Sequence, residues 1–449
     1  MRGLVHVHST NSCGLDTLEE MVQKARKEGL DFIIFADHDQ NIARYGIFPF
    51  QKMIQKTVKR EYVFETGVEN YFKQIYALDK KYRDIVVIPG LEINTHYYWS
   101  GHVVTGNLVL NNFRKHLVII DMPDTQSFKD IPTLHNPFAR KVQIRRLPVF
   151  LAALALLMAS IMNLKFRWLW PRLRWPLAVV AFLVMVNQHP IESSPYHQYK
   201  DCGEAPYQDL IDYVNSKQGM VLWAHPESAH DPGKQEIYGV KLSTGKYPES
   251  LARTRGAHGF AMIYGETTKF ANINEGWDRI LTDYAQGRRG DYPYGYGESD
   301  YNGKNATPVD FIQTVLLAEN KTSRGVLDAL RAGRSMGAIC WKGSMPIVDF
   351  TLSDTEGGRK YDIGQTATVK GKPQIAISLY MSDGFDEIIT VKVIKNGKVI
   401  HSQTANAPFE VAWTDEDYQG EPCYYRVQAK SPEYVFRVLS NPIMCNPKQ

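Results

Sequence analysis

Residues 2–40 read as strand, helix and strand, and no other feature restricts the fold of this chain as tightly. A short apolar run leads into His6 and His8. Thr17 with Glu20 then forms a capping box, after which Leu18, Met21, Val22 and Ala25 recur at helical spacing until Gly29 stops the helix. "LDFIIFADHD" follows, an apolar run of strand length that ends in charge. So short a unit predicts a right-handed crossover between parallel strands. "RDIVVIPGLEI", "KHLVIIDM" and "GMVLWAHPE" repeat the buried-strand pattern, the last behind the helix "PYQDLIDYVNSKQG". The expected fold class is α/β, with a barrel-like domain over residues 1–342.

Polar residues collect where these strands end: His6 and His8, Asp37 and His38, Glu92, His225. In parallel α/β barrels such ends form one rim on which sites are assembled. Alternate residues of a strand point the same way, so His6 and His8 can reach one cation together. An isolated pair of this kind is weak evidence, since most such histidines belong to surfaces or cores. Imidazoles and carboxylates at successive strand ends are stronger, because that donor mixture suits zinc, manganese or iron.

"LPVFLAALALLMASIMNL", residues 147–164, contains no charge. At about 1.5 Å per residue it reaches roughly 27 Å, near the thickness of a bilayer's hydrocarbon. Residues 175–186 are too short to span alone, and 168–186 would span if Arg172 and Arg174 snorkelled to the interface. With Trp168, Trp170 and Trp175 beside arginines, the expectation is a transmembrane helical hairpin over 147–186, inserted in the first domain and making the chain membrane-associated. A buried pair of core helices is the other reading. Basic residues flank both the entry and the connection, so charge assigns no sidedness. The same region accounts for the net charge of +4, because residues 131–191 hold eight Lys and Arg and neither Asp nor Glu. The excess is local, and no nucleic-acid partner is expected.

From Met345 short strand patterns separated by turns, including the hairpin signal "KNGK", predict a β-sandwich over 345–449. Five cysteines without a CxxC pair offer no disulfide framework. No secretory signal is read at the start, and so abrupt an entry into a strand is expected of a chain whose natural start lies upstream. Arg253, Arg255, Arg288 and Arg289 are candidates for holding a substrate anion. His96, His135, His189, His197, His230 and His258 are expected mostly at the surface.

The ordered set "HVHS", "FADHD", "PGLEI", "HLVII", "WAHP" and "GESDYNG" resembles the PHP superfamily, named for polymerase and histidinol phosphatase, over most of residues 1–303. The resemblance implies a distorted (β/α)7 barrel, interrupted here by the hydrophobic hairpin, with two or three metals that drive phosphoester or related hydrolysis. It implies that His6 and His8 bind a first metal with Asp300, that Glu92 bridges the first and second, and that His225 binds the second. The remaining second-metal histidine should open a strand, which fits His116; His102 of "SGHVV" is the rival. His38 would bind a third metal, and Asp37 or His38 would orient the nucleophile or protonate the leaving oxygen. "INTHYYWSG" and "SNPI" resemble a membrane-linked or secreted branch with a β-sandwich tail.

The third site departs from that pattern. "SCG" puts Cys13 where the family often has a carboxylate, and "SDYN" puts Asn302 where it often has histidine. Asn is a poor ligand for a transition metal, whereas a Cys13 thiolate would favour zinc; nearby Asp16 is expected to cap the helix. The expected cofactors are divalent ions (Zn, Mn or Fe), two bound well and the third weak or absent. The expected substrate is a small-molecule phosphoester or related ester. A degenerate PHP module that binds a ligand or partner without turnover is the alternative.

Overall fold

The computed structural model describes residues 1–449 except 104, 167–170, 230–235, 238–239, 266–267, 305–306, 433–435 and 447–449. The expected opening unit is present as β1 (Arg2–Val7), α1 (Leu18–Lys27) and β2 (Phe32–Phe35). Thr17 and Glu20 close the capping box on each other's backbone, and α1 buries Leu18, Met21, Val22 and Ala25. Burial of each of the larger three is worth about 1.5–3 kcal/mol, so packing rather than propensity holds the helix. Asp16 pairs with Lys24 at 2.7 Å, leaving the cap to Thr17.

The remaining strands around β1 are β3 (Asp37–His38), β4 (Val86–Ile88), β5 (Gly90–Asn94), β6 (His116–Ile120), β7 (Met220–Trp223), β8 (Gly259–Ile263) and β9 (Tyr294–Tyr301). β1 runs parallel to β2, β2 to β4, and β3 to β5. β7, β8 and β9 are likewise parallel, and β9 pairs with β1. The expectation of uniformly parallel strands needs one correction: β6 is antiparallel to both β5 and β7. That reversal puts the first residue of β6, His116, at the edge where its neighbours end.

These strands are buried on both faces, which is why they read as continuous apolar runs. Their alternation sorts side chains into two cores. Phe32, Ile34, Val118, Ile120 and Leu222 face an inner core with Val326 and Leu330 of helix Ser323–Arg331. Ile33, Phe35, Leu117, Ile119 and Trp223 face an outer core under α1.

The apolar run forms α2 (Leu147–Phe166) and α3 (Pro171–Asn187), which contact each other. Among the described residues one stretch, Ile144–Met162, is long and apolar enough to cross a membrane, and it is mostly unburied. α3 carries Arg172 and Arg174 in its first described turn and covers residues 171–186 of the span expected over 168–186, the rest lying outside the described residues. Trp168 and Trp170 lie outside the described residues.

Beyond Met345 the chain is strand-rich, and Asn396 and Gly397, both with positive φ, turn strand Ile388–Lys395 back into Lys398–Asn406. There is no break in the sheet near residue 342. Arg437–Ser440 pairs with Ser335–Ile339, which pairs with Ile312–Leu316, which pairs with the start of β1.

Candidate metal centre

Strand parity alone aims Glu92, His116 and Glu298 inward, since they share the alternation of Asn94, Val118 and Tyr296 on their own strands. His6 arrives by another route. It shares the parity of Leu4, which packs in the outer core, and simple alternation would send it outward. A bulge between Val5 and Val7, with His6 at φ 71°, turns it in, and His8 follows past the strand's end. The reading of His6 and His8 as alternate residues of a regular strand therefore gives way to a bulge. His225 (φ 27°) and Asp300 (φ 41°) are also left-handed. Three non-glycine residues in that region at one place, at about 1–3 kcal/mol each, mark a backbone held for function.

Glu92, 1% exposed, lies at the centre. Its Oε1 is 2.5 Å from His116 Nδ1 and 3.1 Å from His225 Nε2. Its Oε2 is 2.8 Å from His38 Nδ1, 3.4 Å from His8 Nε2 and 3.5 Å from His6 Nε2. Asp300 Oδ1 approaches His8 Nε2 at 3.1 Å and His6 Nε2 at 3.8 Å. Potential donor atoms of His8, Cys13 and His38 lie within 4.8 Å of one another, as do those of His6, His8 and Glu92, and those of His38, Glu92 and His116. Glu92 Oε2 and His116 Nδ1 are buried, and the polar atoms nearest them belong to this same cluster. Imidazole nitrogens and carboxylate oxygens gathered so closely are a donor set that cations can use.

The charges agree. Burial works against a protonated His6, yet Glu92, Glu298 and Asp300 outweigh it and push the imidazole up to about 10. His38 goes up to about 9, again against burial, through Glu92 and Cys13. Cys13 is drawn down to about 5 by His8 and His38 despite its burial. His116 is the exception: burial outweighs Glu92 and lowers it to about 4, leaving a neutral imidazole fit for coordination. The site draws positive charge inward, as a metal centre must.

A cavity of about 240 Å³ opens onto this cluster, lined by His8, Cys13, His38, Glu92, His116, His225, Asp300 and Asn302 among others. The Asn302 side-chain oxygen accepts from the Lys304 backbone N–H at 3.0 Å. Asp37 does not line the cavity. Its carboxylate accepts from the Ser9 backbone and hydroxyl, both at 2.7 Å, and from Ser12 Oγ at 2.5 Å. His102 is exposed and lines no part of the cavity. The four candidate arginines are also elsewhere: Arg288 pairs with Asp283, while Arg289 caps the carbonyls of Leu251, Ala252 and Thr254. Arg253 and Arg255 likewise do not line it. Arg60, Arg114 and Lys304 do.

Sequence reasoning missed Glu298, although it sits in the quoted "GESD". It is fully buried, pairs with His6 Nδ1, and accepts from the His225 backbone N–H at 2.6 Å. A carboxylate on the far nitrogen of a ligand imidazole fixes its tautomer and aim. Two residues' separation from Asp300 on one strand was the available signal. His96, expected at the surface, is 1% exposed, and His230 lies outside the described residues.

Residues 5–242, more than half of the chain, match the PHP domain family. The chain belongs to that family. Glu298 and Asp300 fall beyond the matched segment, so the PHP cluster is completed by chain that the match does not cover. A crystal structure from Bifidobacterium adolescentis, described as a "putative metal-dependent phosphoesterase", is similar at 17% identity, covering 73% of this chain and 95% of its own, with a TM-score of 0.32. No curated protein matches the chain. The imidazoles, carboxylates and thiol gathered here fit divalent transition ions.

Proposed function

We propose that this chain is a metal-dependent phosphoester hydrolase. In this reading it has a distorted (β/α)7 barrel over residues 1–342, a β-sandwich over 345–449, and a membrane attachment through 147–186. The observation that carries it is the division of Glu92, whose two oxygens face two different sets of imidazoles. His6, His8, Glu92 and Asp300 would hold one ion, and Glu92, His116 and His225 a second. Cys13 and His38 would hold a third, with Asn302 contributing little. Bound ions would supply a water of lowered pKa and neutralise charge that grows on the phosphoryl oxygens.

The chain's own groups do the rest. Arg60, Arg114 and Lys304 draw the substrate anion to the cavity and orient it. Tyr264 donates to Asp300 Oδ2 at 2.9 Å, leaving Oδ1 turned to His8. Where the third ion is absent, His38 can give a proton to the leaving oxygen, whereas Asp37 is held by Ser9 and Ser12 and keeps the first loop in place. The test is metal analysis of the detergent-purified chain with a panel of phosphomonoesters and diesters. About two ions per chain and turnover lost in His6→Ala/His8→Ala are expected; wild type without stoichiometric metal overturns the reading.

One feature favours a second reading, a module that binds without turnover: Cys13 and Asn302 stand where a third metal would want a carboxylate and an imidazole. A large gain of activity in Cys13→Asp/Asn302→His would support decay. Unchanged activity would support a working two-metal centre.

A further inference from the structure

At the foot of α2 and α3 lies a second cavity, of about 660 Å³, whose lining is unusually basic. Arg44, Lys52, Arg140 and Arg146 face it with one carboxylate, Glu192. Lys52 pairs with Glu192, and Arg146 lies 3.5 Å from the same carboxylate. Arg44 and Arg140 make no ion pair among the described residues, and Arg44 Nε is buried without a hydrogen-bond partner. His135, in the same lining, is held neutral at about 3 by burial and by Arg44, Arg140 and Lys52 around it. Four cations against one carboxylate leave this cavity with net positive charge, and Arg44, part-buried, and Arg140, exposed, are the two not committed to Glu192, so an anion entering it is attracted.

The surroundings say which anion. The cavity is bordered by Phe150 of α2 and by Met185 and Val186 of α3, the inner ends of two helices whose outward faces are apolar and exposed. Beside it the loop from Ile47 to Ile54 exposes Phe48 at 79% and Met53 and Ile54 at 54% each. That loop is tied to the end of α3, since Asn187 Nδ2 donates to the Pro49 carbonyl at 2.6 Å. A basic cavity set between apolar helices and an apolar loop has the layout of a lipid–water boundary.

We propose that this cavity holds the phosphate headgroup of an anionic phospholipid, gripped by Arg44 and Arg140, with Arg146 and Lys52 behind them. The inference rests on membrane attachment through residues 147–186. The volume suits a headgroup with its glycerol, and two guanidiniums with free donors match a phosphate's geometry. The site is separate from the metal cluster, although the short segments 40–44 and 133–135 touch both: Gln40 lines the metal cavity and bonds Thr133 Oγ1 at 2.9 Å, while Arg44 and His135 line this one.

The test uses the full chain in neutral detergent, titrated with dioctanoyl phosphatidylglycerol, dioctanoyl phosphatidylcholine and inorganic phosphate. The expected result is saturable binding of the anionic lipid alone, weakened roughly tenfold or more in Arg44→Gln/Arg140→Gln and by less in Arg44→Lys/Arg140→Lys, which keeps the charge and loses the planar fork. Equal binding of phosphatidylcholine, or an unchanged double variant of unchanged melting temperature, overturns the proposal. Phosphate binding as tightly as the lipid would make it a soluble-anion site and overturns the lipid assignment. A parallel arm asks whether wild type stays with membranes after an alkaline carbonate wash. Retention without selective lipid binding removes only the headgroup site; release into the supernatant removes the attachment and the proposal with it.

Discussion

Glu92 Oε1 lies 2.5 Å from His116 Nδ1 across two antiparallel strands, while the other oxygen of the same carboxylate faces His38 at 2.8 Å. One side chain is thus shared between two groups of candidate ligands, His116 and His225 on one oxygen and His38, His8 and His6 on the other. Glu92→Gln keeps the volume and removes the charge common to both, so both ions should go. Metal content should fall to well below one ion per chain, and turnover should fall at least about 100-fold. Glu298→Gln, which disturbs only the aim of His6 and the His225 backbone, should lower metal affinity about 10–100-fold and be rescued by added metal. Plasma emission analysis of dialysed protein separates the two; equal losses in both variants would contradict a bridging role.

The cations that reach the cavity are distinct from those that hold the surface together. Arg114 is half-buried, and its guanidinium has no described partner. Burial and neighbouring Arg60 lower its pKa, opposed by Asp300, Glu92 and Cys13. Arg114→Ala should raise KM for an anionic ester roughly tenfold or more while metal content stays at the wild-type level. Arg288→Ala should change neither, because that side chain is committed to Asp283. A KM unchanged in Arg114→Ala would place the substrate elsewhere.

What was legible in the sequence follows from what each signal depends on. Strand and helix positions depend on local periodicity, so α1 with its capping box and the Asn396–Gly397 turn are where the residues put them. The direction of β6 depends on its partners, and nothing within "KHLVII" encodes that it runs against them. His6 was singled out for a reason that the backbone does not use, since a bulge is invisible to an alternation rule. Arg60, Arg114 and Lys304 come from three separate connections, and only the folded chain shows that they share a cavity.

A part-buried neutral histidine away from the metal cluster, His258, should make the protein more acid-labile. His258 is lowered to about 4, by burial first and then by Arg331, whose Nη1 lies 3.2 Å from its Nε2. Its folded pKa is below the unfolded one of about 6.5. Between about 4 and 6.5 the unfolded chain therefore binds the extra proton, and stability falls as pH drops through that window while staying whole above it. The slope is at most about 1.4 kcal/mol per pH unit for this residue. Melting temperature followed from about pH 7 to about pH 5 should fall less steeply in His258→Gln than in wild type. Parallel curves would mean that His258 charges without cost.

Besides strand pairing, a buried ion pair ties the strand-rich C-terminal part to the metal-bearing part. Arg426, fully buried, donates from Nε and Nη2 to the two oxygens of Asp278 at 2.7 and 2.9 Å and lies over the Trp277 ring at 5.2 Å. Tyr424 adds a third donor to Asp278 at 2.7 Å. Asp278→Asn leaves the guanidinium buried without its counter-charge and should cost about 3–5 kcal/mol. Replacing both charges, as Asp278→Leu/Arg426→Met, removes the desolvation penalty along with the attraction and should cost much less than the single change. Thermal unfolding of the three proteins in one detergent gives the comparison. A double variant as unstable as Asp278→Asn would mean that shape, through Trp277 and Tyr424, holds this junction, and that the charge is incidental to it.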